Sequence, residues 1–164
     1  MRGRAPVLLA IALALSAGIG AVIGWGRVRN VEVPRPARWE DAPVVCSGPG
    51  VDSTALEEAV AWWRELGHDL QVSCDGWTVS IDVDPTLDTR GSVEDLSTTH
   101  GSTHVWTQDS VVAAAEIRIR PGVGALAIAH ELGHALGYQH PTAAPSGHIL
   151  HPSRPGWDGR GLGR

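Results

Sequence analysis

The run His130-Glu131-Leu132-Gly133-His134-Ala135-Leu136-Gly137-Tyr138-Gln139-His140 constrains this chain more than any other stretch. It reads H-E-x-x-H-x-x-G-x-x-H, with five specified positions in eleven residues. Residues four apart on a helix share a face, so His130 and His134 project side by side and can share one metal ion. Glu131 stands beside the first ligand and can reach a water on that ion without ligating it. Gly137 can adopt a positive φ, which lets the helix stop and the chain turn sharply. That turn can bring His140 round as a third ligand. Three neutral imidazoles and one open position describe a catalytic zinc site rather than a structural one. Such a site supplies hydroxide near neutral pH and polarises a carbonyl. Glu131 is then the expected general base toward water and general acid toward a leaving amine. The chemistry expected of these residues is peptide hydrolysis.

Composition narrows the partners. All 13 basic residues are arginine, and from Ala42 onward 7 Arg face 15 Asp and Glu, a formal charge of −8. That balance argues against a nucleic-acid partner, which requires a basic footprint. The length of 164 residues suits one domain plus a short extra segment.

Residues 5–26 carry no charge and follow Arg2 and Arg4. A run of 22 uncharged residues is long enough to cross a bilayer. Residues 1–26 therefore read as a signal peptide or an N-terminal membrane anchor, and either predicts that the remainder is exported, secreted or tethered outside the cytoplasm. Residues 27–43 hold three Pro and charges of both signs, and read as an extended linker. The globular domain is expected over residues 44–164.

Cys46 and Cys74 are the only cysteines. In an exported domain they are expected to pair, which would stabilise the fold by roughly 3 kcal/mol in the chain-entropy view. The other reading makes Cys46 a thiolate cap on the zinc. A first helix is expected from Asp52 to Gly67, with Thr54 and Glu57 at capping-box spacing. Leu70, Val72 and Cys74 alternate, as do Trp77, Val79, Ile81 and Val83, which predicts two short strands. Asp82, Asp84 and Asp88 read as a solvated turn or as a Ca2+ site. His100 and His104 read as surface histidines or as ligands of a second zinc. Thr103 to Thr107 is expected to be an edge strand, Ala115 to Arg120 a half-buried strand, and Ala125 to Leu136 the helix that carries the motif.

With these elements in place the sequence resembles a metzincin metallopeptidase, whose zinc signature is the eleven-residue motif. The resemblance covers roughly Val44 to the end and is strongly marked only in the last third. It implies an α+β, zincin-like catalytic domain. Its parts would be a small twisted mixed sheet, a first helix, a zinc-binding active-site helix and a minimal C-terminal subdomain. It also implies an edge strand that pairs with an extended peptide or protein substrate. Metzincins pass a Met beneath the zinc ligands in a tight turn. Here Leu150 stands at that position, and the only Met in the chain is Met1. Leu and Met are close in volume, so the site is expected to tolerate the exchange. Pro152 then resembles the matrixin branch, where a Pro closes the turn. His148 and His151 fall in the same turn.

Two functions follow from different classes. One is an exported zinc endopeptidase with His130, His134 and His140 on the metal and Glu131 as base. The other is a membrane-tethered binding module that keeps zinc but turns nothing over. Leu150, the short C-terminal part and the absence of a recognisable pro-domain motivate the second. Glu131 argues for the first, since a purely structural zinc has no use for a base.

Overall fold

A computed structural model describes residues 31–87, 100–142, 148–151 and 162–163. The apolar run at 5–26 lies outside them. Among the described residues no helix is long and apolar enough to cross a membrane.

The elements run β1 (Val31–Glu32), β2 (Val44–Ser47), α1 (Ser53–Glu65), β3 (Gln71–Val72), β4 (Val79–Val83), β5 (Gly101–Gln108), β6 (Val111–Ile119), α2 (Ala125–Ala135) and β7 (Leu162–Gly163). Five strands form a mixed sheet in the order β3-β2-β4-β6-β5, with β5 antiparallel on one edge and the others parallel. β1 and β7 form a separate two-stranded parallel pair. This is a mixed sheet with two helices, consistent with the expected α+β class.

Alternation sets which face of the sheet is buried. Val79 and Ile81 of β4 pair with Ala115 and Ile117 of β6, and all four are buried. Their neighbours Asp82 and Arg118 point to solvent. Residues i and i+2 share a face, so one side of the sheet is apolar and the other wet. The inward faces of both helices join the same apolar cluster. The fold is therefore two-layered, with the helices on one side.

α1 occupies Ser53–Glu65 of the expected Asp52–Gly67 span, and its cap lies two residues before the Thr54 of the capping-box spacing. Asp52 is the N-cap, and its carboxylate accepts from the backbone N–H of Thr54 and Ala55. A carboxylate there meets orphan amides and the positive end of the helix together, which a threonine two residues later cannot do. The first predicted strand shrinks to the two exposed residues of β3, and Trp77 lies outside β4, 51% exposed. Cys46 of β2 is bonded to Cys74 just past β3. The bridge ties this short edge strand to its neighbour where little apolar surface is available to hold it.

Trp63 joins the two helices. It is fully buried, its indole N–H donates to the Ala129 carbonyl at 2.7 Å, and its ring stacks on Tyr138 at 5.7 Å. Gly133 makes this approach possible, because a Cβ there would meet the Trp63 ring at 2.6 Å and the Leu150 methyl. Mid-helix Gly→Ala ordinarily gains about 1 kcal/mol of helix propensity. Here overpacking, at about 1–3 kcal/mol, outweighs that gain. Gly133→Ala is expected to lower the denaturant midpoint. A raised midpoint would mean that the contact relaxes without cost.

Candidate metal centre

α2 ends where the motif requires. Leu136 is the C-cap, and Gly137 takes φ +92° and reverses the chain. A side chain at 137 would run into the Ala37 carbonyl, so both conformation and space demand glycine. The reversal returns His140 to the face carrying His130 and His134. The three Nε2 atoms stand 3.0, 3.1 and 3.2 Å apart. Tetrahedral ligands about 2.0–2.1 Å from an ion would stand about 3.4 Å apart, so the triangle fits a small cation closely. Among the described residues these three form the only such group of His, Cys, Asp or Glu.

The opposite ring nitrogens are also held. His130 Nδ1 lies 2.7 Å from the Ile149 carbonyl, and His134 Nδ1 lies 2.9 Å from the Tyr138 carbonyl. A carbonyl only accepts, so each Nδ1 carries a proton, and in the neutral form of each ring Nε2 presents a bare lone pair. Two lone pairs facing each other at 3.2 Å repel and cannot form a hydrogen bond. A cation between them removes the conflict. Orienting a ligand histidine through a carbonyl on its far nitrogen is the usual outer support of a metal site. Burial, followed by the neighbouring imidazoles, pulls His130 from 6.5 down to about 4, although the Ile149 bond acts the other way. Burial also lowers His140, with His134 and His151 adding to the effect. His130 is thus held neutral, as ligation demands. Imidazole suits zinc, copper, iron and nickel alike, so this donor set could hold a metal ion without selecting which.

Glu131 is buried beside the first ligand. Desolvation raises its pKa, while a hydrogen bond from Thr103 and, after it, the nearby His134 imidazole pull it back. Thr103 sits on β5, and its Oγ1 lies 2.6 Å from Glu131 Oε2 and 3.2 Å from the Glu131 carbonyl. A hydroxyl has one proton to give, and the shorter contact to the carboxylate takes it. Sequence pattern alone did not reveal this bond. Strand alternation says which residues share a face but not which one meets a carboxylate on a helix. Thr103→Val keeps the shape and removes a donor to a charged group, worth about 1.5–3 kcal/mol. The carboxylate pKa is then expected to rise further, because the Thr103 bond is what lowers it. If peptide cleavage requires ionised Glu131, the acid limb of kcat/KM moves to higher pH. An unmoved limb would show that Thr103 does not act on Glu131.

The turn predicted beneath the ligands is present in part. Ile149 supplies the carbonyl that holds His130, and Leu150 is fully buried against Gly133. His148 is buried, and its Nδ1 accepts from the Leu150 N–H at 3.1 Å. His151 sits near enough to His140 to lower its pKa. Pro152 lies outside the described residues.

The other candidate ligands go elsewhere. Asp84 accepts from the Thr86 amide and hydroxyl and faces Arg118 at 3.9 Å. Asp88 lies outside the described residues. His100 meets Arg120 at 3.0 Å, and His104 packs edge-on against Trp106. Cys46 is held in its bridge.

β5 is the sheet edge beside this centre. A cleft of about 540 Å³ lies against it, lined by Thr103, Val105, His134 and Tyr138 together with Pro36 and Ala37. Neither a scan against family models nor a search of curated proteins finds a match to this chain.

Proposed function

We propose that the chain is an exported zinc endopeptidase of metzincin type, closest to the matrixin branch, with the expected zincin-like catalytic domain. The observation that carries this reading is the convergence of the Nε2 atoms of His130, His134 and His140, the first two with Nδ1 turned to a backbone carbonyl, with the Glu131 carboxylate beside them. Bound zinc would supply Lewis acidity and a water that ionises near neutral pH. The chain's own residues do the rest. Glu131 accepts the proton of the attacking water and returns it to the leaving amine. Its raised pKa suits both roles, because a base that must later act as an acid works best near the operating pH. Thr103 holds the carboxylate in place. The outer edge of β5 offers backbone N–H and C=O groups to an extended peptide. The N-terminal run at 5–26 carries the domain out of the cytoplasm as signal or anchor, and the Cys46–Cys74 bridge accords with that destination.

The competing reading, a tethered zinc module without turnover, rests on Leu150 at the position of the metzincin Met. Full burial of Leu150 against α2 supports packing equivalence and favours the enzyme. Metal content and cleavage of a broad peptide library, measured on one preparation of the full chain, separate the two. One zinc per chain with chelator-sensitive cleavage supports the peptidase. One zinc with no cleavage supports the binding module.

A further inference from the structure

The stretch at 33–39, part of the region expected to be a linker, is extended but docked. Val33 and Ala37 are buried. The backbone of Arg38 bonds both ways to the start of β6: its N–H donates to the Ser110 carbonyl and its carbonyl accepts from Val112.

Its other contacts fall on the end of α2. The last carbonyls of a helix have no partner within it. In α2 the earlier ones are satisfied locally: Leu132 by the Leu136 amide, Gly133 by Tyr138 and His134 by Gly137. Ala135 and Leu136 are served from the N-terminal stretch. The Trp39 indole N–H donates to the Ala135 carbonyl at 2.9 Å, and Arg35 Nε donates to the Leu136 carbonyl at 3.2 Å. A cation at a helix C-terminus is also favoured by the dipole. The Ala37 carbonyl packs on Gly137, the Arg35 guanidinium lies 4.7 Å over the Tyr138 ring, and the Gln139 N–H donates to the Pro34 carbonyl. Residues 135–139 are therefore each touched by the same stretch. Within them, the Tyr138 carbonyl orients His134, and the next residue but one is His140.

We propose that residues 33–39 form a strap that sets the metal affinity of the site, with Arg35 and Trp39 as its positioning residues. This rests on the metal-centre reading above. Both bond to backbone carbonyls at the end of α2. They act by fixing the turn on which His140 stands and the carbonyl that aims His134. Loss of an outer hydrogen-bond partner typically costs 10–100-fold in metal affinity.

The test uses the full chain with Arg35→Ala, Arg35→Lys and Trp39→Phe variants. Co2+ and Zn2+ affinities are read by chelator competition, the Co2+ visible spectrum reports ligand geometry, and the melting temperature is taken on metal-free protein. Arg35→Ala and Trp39→Phe are each expected to weaken binding severalfold, less than the roughly 10–100-fold typical of a partner bonded to the ligand itself, and to alter the Co2+ spectrum. Arg35→Lys, which keeps a donor and a cation, is expected to recover part of the loss. Lower metal-free melting with unchanged affinity would make the strap a stabilising element only and overturn the proposal. If one variant fails to fold, the affinity of the other decides. Absence of Co2+ and Zn2+ binding by the unaltered chain would overturn the metal-centre reading and the strap's role with it. Unchanged affinity in the variants would overturn the strap alone.

Discussion

Glu131→Gln is expected to retain one zinc per chain and to lose peptide cleavage by about 10²–10⁴-fold in kcat. Glutamine keeps the size of the side chain and an acceptor for the Thr103 hydroxyl, so the fold around it should survive. It cannot take a proton from water near neutral pH. The side chain lies beside the imidazole triangle and not within it, so metal content should not change. Zinc analysis and steady-state kinetics on the same sample check both halves. A variant that cleaves as the parent does would remove Glu131 from the mechanism. A variant that loses zinc would make Glu131 part of the metal's support instead.

His140→Ala is expected to have the largest effect on the metal. It removes one of three donors, and the loss should exceed the 10–100-fold typical of an outer partner. Cleavage should vanish at zinc concentrations that saturate the parent, and chelation of the parent should do the same. Acid acts on the same donors. His130 has a folded-state pKa of about 4 against an ordinary 6.5, so in the metal-free protein the unfolded chain binds more protons between those values. Stability supplied by this group is complete above about pH 6.5 and is lost as pH falls toward 4, at most roughly 3 kcal/mol. Zinc favours the same neutral form and should hold the folded state further into acid. Melting temperature against pH, with and without zinc, checks the sign. A metal-free protein whose stability stayed flat across that window would contradict the burial of a neutral His130.

The site was legible in sequence because its chemistry is local. His130, Glu131, His134, Gly137 and His140 fall within eleven residues, and helix periodicity with one reversal places them. The half-buried strands β4 and β6 were legible for a similar reason, since alternation reports one wet face. The strap was not. Trp39 and Arg35 reach carbonyls 96 and 101 residues away, and a side chain capping a remote carbonyl leaves no periodicity behind. Pro34 and Pro36 also make the segment look like a spacer. The start of α1 near Asp52 was legible, but the capping role went to Thr54 because a Thr and a Glu stand at the right interval, whereas Asp52 is the residue that caps. Trp77 continued an alternating pattern beyond the point where the sheet offers it a partner.

The floor of the metal centre has one more consequence. Leu150 is a hydrocarbon, where a methionine would place a thioether under the ligands. A thioether converts to a polar sulfoxide under oxidants, and a polar group forced into that packing would disturb the histidines above it. With Met1 the only methionine and both cysteines already joined, the described interior offers peroxide no sulfur in a reduced state. Leu150 thus leaves the packing beneath the three histidines without an oxidisable sulfur.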